Sequence, residues 1–223
     1  MSTLALIGGT SFLECDLFRG AERLPVETPF GKVILLRTDH GLLFLQRHGL
    51  EHYTQPHAIN HPANLSALKQ AGATQAIAVG SVGGMQLRTP PGTLLVPDDF
   101  YAPLANPVTF GDARDHCAPA FDAALRAQLI GQLNEIGPTG WVDGGVYWQS
   151  VGPRFETPAE ISAHQSFTDV VGMTVASECI VAATIGLPYA ALCMVDNLAN
   201  GLSSEPLSYE AFKIQVKATR PEE

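Results

Sequence analysis

Apolar and polar positions along the chain sort into short blocks. Residues 3–7 are an apolar run that enters Gly8-Gly9-Thr10, the pattern of a buried strand feeding a tight glycine loop. Residues 32–37 and 42–46 read as two further strands, with Asp39-His40-Gly41 as the turn between them. Helical spacing follows over 62–70 through Leu65 and Leu68, with Gly72 at the position of a C-cap. Residues 75–79 and 93–96 predict strands, the first ending in Gly80-Ser81-Val82-Gly83-Gly84. An amphipathic helix is predicted over 119–136, with Leu125, Leu129 and Leu133 on one face. Strands over 145–149 and 170–172 flank Thr157-Pro158-Ala159-Glu160, which has a helix start's N-cap, N1 and N3 residues. A small-residue helix over 177–185 suits close packing on a sheet. The almost wholly apolar run 189–195 reads as a central strand, and 207–218 as a closing helix.

Alternating strands and helices predict an α/β fold with a central sheet flanked by helices. The 223 residues fit one large domain, 1–223. Residues 92–119, rich in Pro, Asp and Asn, read as one long functional loop. Apolar residues make up 46% and charged residues 16%, which gives a real core and argues against disorder. Thirteen Lys and Arg against 22 Asp and Glu leave a net charge of −9, so binding to nucleic acid or anionic lipid by net charge is disfavoured. No run reaches the ~18 apolar residues of a membrane span, and Met1-Ser2-Thr3-Leu4 lacks a basic leader, so the expected location is cytoplasmic. Cys15, Cys117, Cys179 and Cys193 are far apart, so reduced thiols are expected rather than disulfides or structural zinc.

In α/β sheets, ligands bind beyond the carboxyl ends of strands. Four predicted ends carry suitable residues: Gly8-Gly9-Thr10-Ser11, Arg47-His48-Gly49, Gly80-Ser81 and Asp196-Asn197. Parallel neighbours would bring them to one crevice. Gly8-Gly9-Thr10 lets backbone N–H groups approach an anion, or is simply a tight turn. It is neither GxGxxG nor a P-loop, which disfavours a dinucleotide or nucleoside triphosphate. Arg47 offers a planar fork to oxyanion oxygens and His48 a further donor, or the pair is a surface Arg beside a bonded His. His48-Gly49-Leu50-Glu51-His52 matches the zinc pattern H-x-x-E-H, but Gly49 and Pro56 oppose the helix that pattern needs, so no metal is expected. Gly152-Pro153-Arg154-Phe155-Glu156-Thr157 sets an aromatic ring beside a carboxylate, suited to stacking a flat heterocycle and accepting its N–H, or is an ordinary helix-entry turn with Phe155 as a core staple. Met173-Thr174 adds a soft apolar contact and a hydroxyl. Asn197 adds an amide with both a donor and an acceptor.

In order and spacing these runs, with Thr28-Pro29-Phe30-Gly31, the stretch 56–64, Pro91-Gly92 and Glu178, resemble the purine nucleoside phosphorylase and methylthioadenosine phosphorylase family over nearly the whole chain. The resemblance implies the phosphorylase/hydrolase-like fold and a homotrimer. It implies that Thr10, Arg47, His48 and Thr174 hold inorganic phosphate near the backbone of Ala78, with Met173 under the ribose and Phe155 against the base. His116 is expected to reach the 5′ end of a ligand in a neighbouring subunit. Adenine-specific members are similar but use two aspartates where this chain has Asn197 and Ala199. Glu156 and Asn197 instead resemble the 6-oxopurine type, in which Glu accepts the N1–H and Asn contacts N7 and O6; S-methyl-5′-thioinosine phosphorylases are the nearest in pattern. The expected reaction is phosphorolysis of a purine nucleoside, with Asn197, Glu156 and His48 as the catalytic set, phosphate as co-substrate and no other cofactor. Ile77 replaces a threonine phosphate contact, Ala176-Ser177-Glu178 replaces Val-Pro-Glu, and the chain ends earlier than most members, which bears on the 5′ side. A methylthioadenosine phosphorylase, a nucleoside hydrolase and an inactive nucleoside binder are the alternatives.

Overall fold

The computed structural model describes residues 3–12, 16–203, 207 and 210. The expected helix over 207–218 and Cys15 therefore fall outside the described residues, apart from Leu207 and Glu210.

The described residues form one mixed eleven-stranded sheet with four α-helices against it. Its centre is a parallel run, in the order β4 (Leu43–Gln46), β1 (Leu4–Gly8), β5 (Gln75–Gly84) and β11 (Tyr189–Leu198). The four strand ends predicted to converge belong to these four neighbours, so they do meet at one edge. The hairpin of β2 (Glu22–Thr28) and β3 (Gly31–Arg37) extends the sheet beyond β4. Strand β10 (Val170–Gly172) joins antiparallel to the far end of β5 and carries β9 (Val146–Gln149) and β7 (Asp99–Tyr101). Strands β6 (Leu94–Val96) and β8 (Trp141–Asp143) continue from β11.

Helices α1 (His61–Gln70) and α4 (Val175–Ile185) pack against each other, α1 over β2 to β4 and α4 on β9 and β11. Ala176, Ser177, Cys179 and Ala182 are small enough for α4 to lie close on the sheet, and all are buried. Helix α2 (Ala123–Ile136) is capped by Asp122, whose side chain accepts from Leu125 N–H, and it packs on β11. Helix α3 (Pro158–His164) opens with the predicted capping box of Thr157 and Glu160, an arrangement that contributes about 1 kcal/mol. The main core joins Ile7, Leu43, Leu45, Ala78, Cys193 and Val195 to Leu65, Leu68 and Cys179. A smaller cluster of Met85, Trp148, Ile161, Val171 and Ala199 lies on the other side of the site.

The structure corrects several boundaries. Strand β2 was not anticipated, because Glu22, Glu27 and Pro25 break its apolar pattern; it is a mostly exposed strand at the sheet's edge. The loop over 92–119 contains β6 and β7, short strands whose pairing is set by tertiary partners. Strand β5 runs through Gly80-Ser81-Val82-Gly83-Gly84 instead of ending at Val79, since small residues pair as readily with β11 as apolar ones.

Candidate active site

At the carboxyl edge of β4, β1, β5 and β11 lies a cavity of about 620 Å³. Thr10, Arg47, His48, Phe155, Glu156, Met173, Thr174 and Asn197 all line it. Ala78 does not. It sits fully buried in the core, three residues before the stretch Ser81-Val82-Gly83 that does reach the cavity. His116 is an exposed residue on the surface loop after a short 3₁₀ turn, away from the lining of this chain's cavity.

The sheet itself opens the cavity. Strand β1 pairs with β5 as far as Ala78, and β10 takes up the same edge only at Gly83. Between them the edge of β5 has no strand partner. The Val79 carbonyl there accepts from Arg47 Nη1 at 2.8 Å. Peptide groups alternate sides along a strand, so the Ser81 N–H faces the same gap. An oxyanion seated in the gap would meet that N–H, the Thr10 hydroxyl and the Thr174 hydroxyl.

Arg47 has a different task from the one expected. Its Nε and Nη2 donate to Glu178 Oε1 and Oε2 at 2.6 and 3.2 Å, a bidentate pair with both side chains nearly fully buried. Tyr189 Oη donates to Glu178 Oε2 at 2.7 Å and completes that carboxylate's partners. Burial works against the Arg47 charge, but Glu178 outweighs it and keeps the guanidinium firmly protonated. The fork that sequence reading gave to phosphate is therefore occupied by Glu178, and Arg47 turns only Nη1 toward the gap. Gly9 is required beside it: a Cβ there would stand 2.3 Å from Nη1. Glu178 carried a sequence match but no role; its pairing appears only when the fold brings α4 to the residue that follows β4.

His48 stands next to this pair. Its Nδ1 is 2.8 Å from the Thr54 carbonyl, which can only accept, so Nδ1 carries the proton and Nε2 presents a lone pair. The ring stacks on Tyr53, with centroids 5.0 Å apart. Burial, with Arg47 adding to it, pushes its pKa down to about 4 against the Thr54 bond, so the ring is neutral at pH 7. The expected second donor is thus an acceptor. The segment after His48 forms turns, with Gly49 at φ +90°, and His48 and His52 do not share a helix face. Among the described residues no group of three His, Cys, Asp or Glu side chains is placed to hold a metal ion.

Thr174 is the N-cap of α4, yet its side chain makes no capping bond. Tyr147 Oη substitutes, accepting from the N–H groups of Thr174 and Val175 at 3.2 and 3.3 Å. Gln149 grips the next turn, accepting from Ser177 N–H at 3.0 Å and donating to Ser177 Oγ at 2.6 Å. The Thr174 hydroxyl is thereby left to the cavity.

The opposite wall presents the polar pair Glu156 and Asn197. Glu156 is 5% exposed, and Ser150 Oγ donates to its Oε1. Burial raises its pKa, partly offset by Ser150. Asn200 Nδ2 donates to the Glu156 carbonyl at 2.8 Å and ties the two segments together. Strand β11 carries a bulge between Val195 and Asn197. The bulge turns Asp196 toward Ser81 Oγ, which donates to it, and aims Asn197 and Ala199 at the cavity. Asn197 Nδ2 donates one hydrogen to the Leu198 carbonyl at 2.7 Å, which fixes the amide's orientation. Met173 lies under the cavity against Gly152, whose φ of +68° and missing Cβ admit the Met173 sulfur. Tyr53, Gln55 and Pro56 complete the lining from a loop with no apolar periodicity to reveal it.

The cavity thus pairs an oxyanion niche with a wall that can read a planar heterocycle bearing an N–H. Comparison with known proteins agrees. The Phosphorylase superfamily model matches residues 3–221. A probable 6-oxopurine nucleoside phosphorylase from Archaeoglobus fulgidus is 36% identical, over 96% of this chain and 89% of its own. A probable S-methyl-5′-thioinosine phosphorylase from Methanothermobacter thermautotrophicus is 37% identical, over 95% and 77%. Among solved structures, methylthioadenosine phosphorylase from Schistosoma mansoni in complex with adenine superimposes with a TM-score of 0.86 at 25% identity, covering 98% of this chain and 87% of the other. Family model, relatives and fold agree, and the chain belongs to the phosphorylase superfamily.

Proposed function

We infer that this protein is a purine nucleoside phosphorylase that cleaves 6-oxopurine nucleosides, S-methyl-5′-thioinosine and inosine among them, to the free base and a pentose 1-phosphate in purine salvage. The observation that carries the reading is the buried Glu156 carboxylate beside the Asn197 amide, in one cavity with the donors at the β5 gap. A 6-oxopurine has an N1–H for Glu156. Adenine has a lone pair at N1, and setting it against a carboxylate leaves both unpaired at a cost of about 1–3 kcal/mol.

Phosphate enters the niche of Thr10, Ser81 N–H, Arg47 Nη1 and Thr174, with His48 at its side. The glycosidic bond to the purine lengthens first, so the sugar turns positive and the base negative. The phosphate dianion stabilises the sugar from below, where Met173 faces the ribose. Asn197 donates to the base as its electrons withdraw toward N7 and O6, a stabilisation that grows in the transition state. A phosphate oxygen then bonds to C1′ as the bond to the purine breaks, and the proton the purine takes up at its ring nitrogen is balanced, through solvent, by the one monohydrogen phosphate loses on becoming the pentose 1-phosphate dianion. No metal or organic cofactor takes part. The reading includes a cytosolic homotrimer, supported by the family resemblance and by exposed Leu87, Leu104, Val108 and Phe167 on the surface. His116 in that assembly serves the 5′ side of a neighbouring site.

Substrate choice tests the base reading. Steady-state kcat/KM for S-methyl-5′-thioinosine and inosine is expected to exceed that for methylthioadenosine by at least about fivefold, the lower end of the mismatch cost. Preference for methylthioadenosine would overturn the assignment of Glu156 and Asn197.

A further inference from the structure

The niche has less positive charge than its residues imply. Arg47 is neutralised by Glu178, and both are committed to each other in a bidentate pair. What remains for an anion is Arg47 Nη1, already engaged by the Val79 carbonyl, a set of neutral donors and one acceptor, His48 Nε2. The ring cannot flip to present an N–H to the cavity without taking the donor from the Thr54 carbonyl. Among the described residues, the titratable groups packed around the ring are Tyr53, His61, Arg47 and Glu178. Tyr53 stacks on it from the following loop, His61 from α1 is buried and neutral with its pKa lowered to about 4, and Arg47 with Glu178 makes a closed pair. The second carboxylate of the cavity, Glu156, is held by Ser150 on the base side.

We propose that His48 sorts oxyanions by whether they bring a proton, favouring monohydrogen phosphate, which donates its P–OH to Nε2, over sulfate, which has none to give. This rests on the phosphate reading of the niche and adds a specificity determinant to it. No bond to phosphorus changes; the P–OH hydrogen is shared with the imidazole lone pair. Sulfate can enter only by recruiting a proton from solvent onto the ring, so its binding is linked to proton uptake.

Calorimetric titration of the purified protein with inorganic phosphate and with sulfate, from slightly above neutral pH upward and in buffers of different ionisation enthalpy, tests this. Sulfate affinity should fall about tenfold per pH unit with one proton taken up, while phosphate affinity stays level with no net uptake. Gln at this position offers both an N–H and a carbonyl, so His48→Gln should flatten the sulfate slope and bring the two anions within about threefold. Sulfate binding as tightly as phosphate with no pH slope, or a phosphate preference that survives His48→Gln, would overturn the role of His48. Failure of wild-type protein to bind phosphate at all would instead overturn the phosphate reading on which it rests.

Discussion

On the proposed reading substrate choice turns on Glu156, because an ionised buried carboxylate has only acceptors to offer. Ser150 engages one oxygen, and on that reading the base takes the other. In Glu156→Gln the amide can donate or accept, so it should lose its preference more than its fold. The expected result is a fall in kcat/KM for inosine of about tenfold to a hundredfold, with methylthioadenosine unchanged or improved. An equal loss for both nucleosides would point to a packing role. The same residue scale shows what sequence reading can and cannot supply. Thr10, Glu156, Met173, Thr174 and Asn197 were legible because each sits in a short run whose chemistry is local. The pairing of Arg47 with Glu178 was not, since the partners are 131 residues apart and meet only in the folded chain. The tautomer of His48 was hidden for the same reason in miniature, as it is set by a carbonyl six residues on.

Among elements, the strands buried on both faces were the readable ones. Strands β1, β4 and β11 announce themselves by unbroken apolar runs, and their parallel order carries the site. Strand β5 was truncated in the reading because glycine and serine look like a loop; in the sheet they let β11 and β10 approach closely. The family resemblance placed the backbone of Ala78 near the phosphate; in the structure Ser81 lines the cavity and Ala78 does not. Helix α4 depends on a device no local pattern encodes, the capping of its first N–H groups by Tyr147 on β9. Tyr147→Phe removes the acceptor and strands two buried donors, which should destabilise the fold by about 1–3 kcal/mol in denaturant titration. It should also raise KM for phosphate, since Thr174 loses its fixed position. An unchanged midpoint would show that the helix end finds other partners.

For the whole molecule, the histidines buried around the Arg47–Glu178 pair tie stability to pH. His48 and His61 are both held near pKa 4 by burial, against an ordinary value of 6.5. The unfolded chain binds their protons first, so stability falls as pH drops from 6.5 toward 4. At pH 5 each ring costs on the order of 2 kcal/mol. The melting temperature should therefore decline through this window and respond less in His61→Asn, a variant outside the cavity lining. On the proposed reading the net charge of −9 does not by itself oppose anion entry, because local hydrogen-bond donors rather than net charge hold the anion.

Phosphorolysis and hydrolysis differ most directly in the fate of the sugar. Purified protein with S-methyl-5′-thioinosine or inosine should release hypoxanthine only when phosphate is present, with one pentose 1-phosphate formed per base. Base release at the same rate without phosphate, yielding free pentose, would contradict it and make water the nucleophile.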